Sequence, residues 1–321
     1  MIMKRLYIAL LICFGALMLA PSCEKTNPKE DAVVAILKDG NSDYMKQLKY
    51  SIEAECQAKG CKAVVVMTND EYDFESQMLA AESLSSLGYN IKGIIFTPIY
   101  DSSNKNDAET VIKTFAGKTV PVVFLDTKPS ELSPLKDSYT AYVGVDLLQV
   151  GTSFAEMIPE SDPSRLLSVY YNTAATVERY RVFKTAKGLS DDSNAIPVTA
   201  ENGLTADALN SKLSGLGEGG TVTLFNGDFY DKILALGKSV QNLDDKQIYA
   251  FDAYKSLLTN LQNGGNVKAV QAQNSFKMGK ESVDCIFSVP ASKEILVPAV
   301  LINSATIGSD EVKPFLEYFG L

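Results

Sequence analysis

The chain has no histidine and no tryptophan, and only five of its 321 residues are cysteine. Without histidine it cannot build a Ser-His-Asp or Cys-His catalytic centre, or a metal site that depends on imidazole. The H-E-x-x-H, P-loop and C-x-x-C motifs are also missing from the sequence, so we expect no metal and no cofactor. Carboxylates and lysine remain the side chains that could act as catalysts.

Positive charge is also in short supply, because 30 Lys and Arg face 39 Asp and Glu, for a formal net charge of -9. An acidic chain with no basic run does not suit a phosphate backbone, so nucleic acid is not expected as a partner. Hydrophobic residues make up 46% of the chain, which is enough for one large core or two smaller ones.

The N-terminus has the features of a targeting segment. Two positive charges in MIMKRL precede an apolar stretch over residues 6–20, which is too short to span a bilayer comfortably. The stretch ends in LAPSC, which resembles a bacterial lipoprotein signal with its lipobox. This predicts a signal peptide over residues 1–22, a lipid on Cys23 and a polar tether over 23–30. An ordinary secretory signal with an incidental cysteine is the alternative. Either way we expect the periplasm or cell envelope, and lipidation adds a membrane anchor.

Two further cysteines flank the end of a predicted helix in CQAKGCKAVVV. Gly60 is typical of the left-handed residue that ends a helix, and Cys56 and Cys61 then take the two positions that touch there. A local disulfide between them is a candidate, and a pair of small apolar contacts is the alternative. Cys285 has no evident partner and is expected inside a helix.

Strand and helix patterns alternate from residue 31 onward and then restart at RLLSVYYN. Near-continuous Val/Ile/Leu runs are typical of parallel strands that are covered on both faces, and helices between them provide the crossovers. The unit GIIFTP–helix–VPVVFLD is repeated by TVTLFNGD–helix–QIYAFDA. The predicted fold class is α/β, with two doubly wound parallel-sheet lobes.

Two of these apolar runs end on an aspartate, Asp126 in VPVVFLD and Asp252 in QIYAFDA. In open α/β sheets the ligand crevice lies outside the carboxyl ends of the strands. A carboxylate at that position can bind a ligand or water, whereas one residue earlier it would be buried at a high cost. Capping of the following helix or loop is the alternative explanation for both residues.

The order and spacing of several stretches resemble the type I periplasmic-binding-protein family, in the sugar-binding branch typified by ribose-binding protein. The stretches are VPVVFLD, YTAYVGVDLLQVG, ATVERYRVF, TLFNGDFYDKILALG and IYAFDAYKSLLTNLQNGGNVKAVQAQNSFKMG. The resemblance implies an N-terminal lobe of residues 31–144 plus 274–297 and a C-terminal lobe of 145–273 plus 298–321. It also implies that three crossovers join the lobes, with hinges near Val145, Gln273 and Pro298.

The same resemblance implies a ligand site made of Asn41, Tyr44, Asp126, Arg179, Asp252 and Gln273. Carboxylates accept hydroxyl hydrogen bonds, arginine donates a planar fork, and an aromatic face covers the C–H surface of a sugar. With no tryptophan, stacking would come from Tyr44 and from Phe229, Tyr230 or Tyr254. Alternatives remain open: Tyr44 as a core residue, Arg179 as a solvated helix charge, Gln273 as a partner for backbone groups and Asn41 as a turn residue.

These observations predict a lipid-anchored binding protein and not an enzyme. Its partners would be a small polyhydroxylated ligand, such as a sugar, and a membrane transporter or sensor. The alternative function is a carboxylate-dependent hydrolase on the same scaffold. A DNA-binding repressor is disfavoured by the charge and by the signal-like N-terminus.

Overall fold

A computed structural model describes residues 29–321 except 71, 102, 104, 160, 161, 200 and 201. The predicted signal peptide and Cys23 lie outside the described residues. Within them, no helix is long and apolar enough to cross a membrane. The chain forms two six-stranded sheets, and helices connect the strands.

The first sheet has the strand order β11-β5-β4-β3-β1-β2, and all its neighbouring pairs are parallel. Its helices pack on both faces. The elements of this lobe are β1 (Asp31–Leu37), α1 (Asp43–Ala58), β2 (Lys62–Met67), α2 (Phe74–Ser83), β3 (Asn90–Phe96), α3 (Ala108–Ala116), β4 (Val122–Leu125), β5 (Ala141–Gly144), α9 (Ser275–Phe287) and β11 (Glu294–Leu296).

The second sheet has the order β12-β10-β9-β8-β6-β7 and repeats the first sheet position by position. Its elements are α4 (Leu147–Glu156), β6 (Leu166–Tyr171), α5 (Ala174–Ala186), β7 (Ala195–Val198), α6 (Ala206–Leu213), β8 (Thr221–Leu224), α7 (Asp228–Leu236), β9 (Gln247–Phe251), α8 (Lys255–Gln262), β10 (Val267–Ala272), β12 (Val300–Asn303) and α10 (Lys313–Phe319). The predicted two-lobed α/β fold is confirmed. One strand departs from the all-parallel expectation, because β12 runs antiparallel to β10.

The chain passes between the sheets three times, after β5, after β10 and after β11. The first and third passages lie side by side, since Leu296 pairs with Gly144 and the Val297 amide donates to the Gly144 carbonyl at 2.8 Å. The inner strands of both sheets are buried along most of their length, as expected for parallel strands covered by helices, whereas the edge strands β2 and β11 are partly exposed.

Helices α1 and α9 cross closely on the first sheet. A Cβ atom on Gly279 would lie 2.7 Å from the Ser51 Cβ, so only glycine fits at this crossing. The Ser51 hydroxyl donates to the Phe276 carbonyl at 2.5 Å. The side-chain amide of Gln47, which also lies on α1, donates to the Ala253 carbonyl of the second lobe at 3.1 Å. Helix α1 therefore belongs to the first lobe and also contacts the second.

The end of α1 corrects the predicted disulfide. Gly60 has φ +71°, and the Cys61 amide donates to the Cys56 carbonyl at 3.0 Å, which closes the helix as predicted. Both cysteines are nevertheless free thiols, and the Cys61 Sγ donates to the Cys56 carbonyl oxygen at 3.4 Å. Cys56 is fully buried in the core, so the alternative of two packed small side chains describes this turn. Cys285 is a buried free thiol within α9.

Candidate functional site

A cavity of about 720 Å³ lies between the two sheets, at the carboxyl ends of their strands. Its size falls within the range of roughly 300–1,000 Å³ that small-molecule sites occupy. Charged and aromatic side chains from both lobes line it, together with several leucines. The lining includes Lys38, Ser42, Tyr44, Asp126, Thr127, Lys128, Tyr142, Asp146, Leu148, Thr173, Thr176, Arg179, Asn226, Asp252, Tyr254, Gln273 and Leu296.

Asp126 and Asp252 follow equivalent strands, β4 and β9, and have the same backbone conformation. Their φ angles are 64° and 62°, in the left-handed region that side chains other than glycine, asparagine and aspartate rarely adopt. Each amide still donates to the neighbouring strand, from Asp126 to Val143 at 2.8 Å and from Asp252 to Gln271 at 3.0 Å. The chain therefore turns sharply where each strand ends, and both carboxylates reach the cavity. Strained backbone of this kind is common at functional sites.

The Asp126 carboxylate is bound by side chains of its own lobe. The Tyr44 hydroxyl donates to Oδ1 at 3.0 Å, and the Lys38 ammonium lies 2.9 Å from Oδ2. The Thr127 hydroxyl donates to Oδ2 at 3.2 Å and accepts from the Lys38 Nζ at 2.7 Å. Burial would raise the pKa of Asp126, but the charge and hydrogen bond of Lys38, with help from Arg179 and Tyr44, hold it below the ordinary value.

The Asp252 carboxylate has fewer partners. The Gln273 amide donates to Oδ1 at 2.9 Å, while the Arg179 Nη1 lies 3.9 Å from Oδ2, beyond hydrogen-bond distance. Burial raises the pKa of Asp252, and the charges of Asp126 and Asp228 add to that effect, against Arg179 and Gln273. Asp252 is thus a buried acceptor whose charge the protein compensates only in part.

Arg179 is 7% exposed and holds its guanidinium over the Phe251 ring, with the Cζ atom 5.0 Å from the ring centroid. This cation–π contact fixes the side chain without using its N–H donors. Among the described residues, the buried Nε of Arg179 and the buried Oε1 of Gln273 have no hydrogen-bond partner in the protein. A donor and an acceptor therefore remain available beside Asp252.

Two tyrosines border the charged groups. Tyr44 is 8% exposed, and burial followed by the Asp126 charge raises its pKa. Tyr254 packs against Gly227, where a Cβ atom would come within 2.4 Å of the tyrosine ring. The glycine of the Asn226-Gly227-Asp228 sequence is therefore required by the position of Tyr254.

The structure brings Tyr44, Asp126, Arg179, Asp252 and Gln273 together around this cavity. It does not bring Asn41 there: that side chain is exposed, and its amide donates to the Asn69 carbonyl at 2.6 Å, which ties two loops of the first lobe together. Phe229 and Tyr230 pack in the core of the second lobe and do not line the cavity. The structure therefore does not place these three residues in the lining of the cavity.

Lys38, Thr127 and Tyr142 line the cavity but were missed from the sequence. Asp126 was predicted because ligand crevices lie at the carboxyl ends of parallel strands. The same reasoning applies to Lys38, which directly follows β1. Tyr142 lies inside β5 and shows no such signal. No group of three or more His, Cys, Asp or Glu able to hold a metal occurs among the described residues.

Comparison with known proteins agrees with this architecture. The family model of the periplasmic binding protein domain matches residues 33–293, so the chain belongs to that family. It has the type I fold that the sequence predicted, and it is a binding protein rather than an enzyme. No curated protein matches the chain.

Solved structures with this fold share little sequence with the chain. An ABC transporter solute binding protein from Agrobacterium vitis with bound D-fucose has a TM-score of 0.68 at 17% identity, over 88% of this chain and 99% of that one. A putative LacI transcriptional regulator from Bacteroides fragilis has a TM-score of 0.67 at 15% identity, over 87% and 99%. A glucose-galactose binding protein from Geobacillus stearothermophilus has a TM-score of 0.64 at 16% identity, over 87% and 99%. At such identities the similarity establishes the fold alone.

Proposed function

We propose that the chain captures a small polyhydroxylated ligand, a sugar, in the cleft between its lobes and delivers it to a membrane transporter or sensor. The observation that carries this proposal is the set formed by Asp252, Arg179 and Gln273. All three side chains are buried and line the cavity, and the Arg179 Nε and the Gln273 Oε1 have no hydrogen-bond partner in the protein. Buried polar groups are otherwise almost always paired, so a ligand that pairs them gains affinity.

A sugar hydroxyl suits this set because it donates and accepts at once. Asp252 and the Gln273 Oε1 would accept hydroxyl protons, and Arg179 would donate to hydroxyl oxygens. Tyr44, Tyr142 and Tyr254 line the same space, and their rings would offer the apolar surface that covers sugar C–H groups. Asp126 faces this set from the other lobe, as in the site that the family resemblance implies.

Relatives of the same fold support the ligand class. Solute binding proteins of Agrobacterium vitis have been solved with D-fucose and with α-D-tagatopyranose, and one of Agrobacterium radiobacter with D-arabinose. A thermal-shift screen of monosaccharides, polyols and nucleosides tests the proposal directly. A binder at 100 times its Kd stabilises the folded chain by about 2.7 kcal/mol. If no sugar or polyol stabilises it, and a nucleoside does, the ligand class is wrong.

Incubation of the chain with glycosides separates binding from hydrolysis. If the chain were a glycosidase, protein at about one hundredth of the substrate concentration would still convert the substrate, because each enzyme molecule turns over many times. We expect stoichiometric binding of glycosides and no release of aglycone during prolonged incubation.

Membrane attachment is part of the proposal, through a lipid on Cys23. Cys23→Ala should release the protein from the membrane fraction or leave it unprocessed, because the thiol that carries the lipid is gone. Cys13→Ala is a matched control, since Cys13 lies inside the apolar stretch of the signal. Unchanged processing and membrane association in Cys23→Ala would refute lipidation and leave the ordinary secretory signal.

A further inference from the structure

The wall of the cavity next to the first and third passages between the lobes carries several apolar side chains, with Asp146 among them. Leu148 lines the cavity with 65% of its surface exposed, and Leu296 lines it with 44% exposed. Val145 and Leu147 line the same wall. A single exposed leucine on a protein surface needs no explanation, but several on one wall of a ligand cavity form an apolar patch that a ligand can cover.

The sheet register explains why these residues are neighbours. Leu296 ends β11 beside Gly144, which ends β5, and the chain then continues through Val145 to Leu148 in the first turn of α4. The Val297 amide, which donates to Gly144, holds the two segments together. The patch therefore rests on paired strands and not on loose loops.

Tyr142 connects this apolar wall to the polar end of the site. Its hydroxyl donates to the Asp126 carbonyl at 3.2 Å, so a ligand bound at Asp126 lies close to the Tyr142 ring. The Lys128 ammonium lies 5.2 Å from the centre of that ring and pairs with Glu294 at 3.0 Å. One cavity thus has a polar end around Asp126 and Asp252 and an apolar wall around Tyr142, Leu148 and Leu296.

A free sugar cannot use both parts equally well. Its hydroxyls need hydrogen-bond partners, which leucine side chains do not provide, and the tyrosine rings already offer surface for its C–H groups. The cavity, at about 720 Å³, is in the upper part of the range for drug-sized ligands, which are larger than one sugar ring. An apolar group attached to the sugar would cover the leucines and remove them from water.

We propose that the ligand is a glycoside with an apolar aglycone, which occupies a subsite formed by Tyr142, Val145, Leu148 and Leu296. This inference rests on the proposed sugar-binding function and specifies its ligand class. Burial of about 60 Å² of apolar surface corresponds to a tenfold gain in affinity. An aryl group offers more than that area, so an aryl glycoside should bind at least about tenfold more tightly than the matching methyl glycoside.

Calorimetric titration of the native chain tests this with D-galactose, D-glucose, D-fucose and D-arabinose. Each is used as the free sugar, the methyl glycoside and the phenyl glycoside, with lactose and cellobiose beside them. We expect the phenyl glycoside of at least one sugar to bind about tenfold more tightly than its methyl glycoside. In Leu148→Ala/Leu296→Ala this ratio should fall below about threefold. Leu132→Ala/Leu301→Ala is the control, because these leucines are 61% and 39% exposed and lie outside the cavity lining.

Several results would overturn the inference. Equal affinity for methyl and phenyl glycosides refutes the subsite, and binding of the free sugar in the same titrations shows that the proposed function stands. An equal loss of affinity for all probes in the double variant means that the leucines pack against each other when the lobes close. A disaccharide that binds more tightly than the phenyl glycoside assigns the wall to a second sugar. Absence of binding by every sugar and glycoside refutes the proposed function and the subsite together.

Discussion

The two lobes provide equivalent aspartates, yet they treat them in opposite ways. Asp126 and Asp252 end matching strands with the same left-handed backbone. Asp126 is held by Lys38, Tyr44 and Thr127, and its pKa is lowered. Asp252 has one firm hydrogen bond, from Gln273, and its pKa is raised.

We infer from this difference that the second lobe provides more of the ligand-binding groups than the first. The first lobe pairs its carboxylate with its own side chains, so Asp126 also organises the cavity wall. The second lobe leaves Asp252 and Arg179 short of partners, and a ligand can complete them. The two aspartates therefore have equivalent backbone positions but differ in their side-chain partners and in the direction of their pKa shifts.

The largest expected effect is the loss of ligand affinity in Asp252→Asn. Asparagine tolerates the left-handed backbone and is isosteric with aspartate, so the variant removes the charge without straining the backbone. Alanine, in contrast, would add strain at this position. Hydrogen bonds to a charged acceptor are about twice as strong as neutral ones, so the affinity for the sugar found in the screen should fall at least about tenfold.

The apo protein should not lose stability in the same variant. The raised pKa of Asp252 means that its charged form is unfavourable in the folded chain, so Asp252→Asn should leave the melting temperature unchanged or raise it. Calorimetric titration and apo melting curves measure the two effects. Normal affinity together with a lower melting temperature would show that Asp252 is structural.

The second effect is a loss of apo stability in Asp126→Asn, which is the opposite of the result expected for Asp252→Asn. The substitution leaves the Lys38 ammonium, only 23% exposed, without its carboxylate, which costs about 1–3 kcal/mol of unfolding free energy. Lys38→Met combined with Asp126→Asn removes both charges, so the double variant should lose less than the sum of the single variants. Urea unfolding of all three measures this.

The half-exposed pair of Lys128 with Glu294 provides the control for that cycle. Its side chains are 52% and 48% exposed, so Lys128→Met should change the unfolding free energy by less than about 1 kcal/mol. If Asp126→Asn changes the unfolding free energy as little as Lys128→Met does, then the pairing with Lys38 does not stabilise the fold. The two lobes would then not differ in how they stabilise their aspartates.

The sequence predicted the positions of both aspartates but not this difference between them. An apolar parallel run that ends on a carboxylate is a local pattern, and the rule for strand ends places it at the cleft. The pairing of Lys38 with Asp126 joins residues that are 88 positions apart, and their contact depends on β1 and β4 ending at the same edge of the sheet, on either side of β3. Neither residue carries a local signal for the other.

Other errors have similar causes. The antiparallel direction of β12 depends on how the chain returns after its third passage between lobes, which a strand of four residues does not encode. Phe229 and Tyr230 lie near a strand end in sequence, but they begin the buried face of α7. Arg179 could equally have been a solvated helix charge, and only packing of its guanidinium over Phe251 distinguishes the two cases.

The third effect is a dependence of affinity on pH. Asp252, whose pKa burial raises, takes up a proton at a higher pH than an ordinary aspartate with a pKa of about 3.9. Protonation removes an acceptor, so ligand affinity should fall as the pH is lowered through that raised pKa. The destabilising charge disappears over the same window, so the contribution of Asp252 to apo stability should rise.

Asp126 should behave in the opposite sense. Its lowered pKa means that the stability it contributes is present above its unfolded pKa and is lost only at more acid pH. Titrations of ligand between neutral and acid pH, with Asp252→Asn in parallel, check both statements. A native profile as flat as that of the asparagine variant would show that Asp252 does not bind the ligand as a carboxylate.

The smallest expected effect comes from Tyr44→Phe, which tests whether this tyrosine belongs to the wall or to the ligand. Its hydroxyl donates to Asp126 at 3.0 Å and lies 3.6 Å from the Met278 Sδ, so its hydrogen bond is used inside the first lobe. Removing it should cost about 0.5–1.5 kcal/mol of apo stability, while the ring still borders the cavity and affinity changes less than about threefold. Tyr142→Phe is the matched control, because that hydroxyl donates to the backbone carbonyl of the same aspartate. A tenfold loss of affinity in Tyr44→Phe with unchanged apo stability would instead assign the Tyr44 hydroxyl to the ligand, and the first lobe would then bind the sugar as directly as the second.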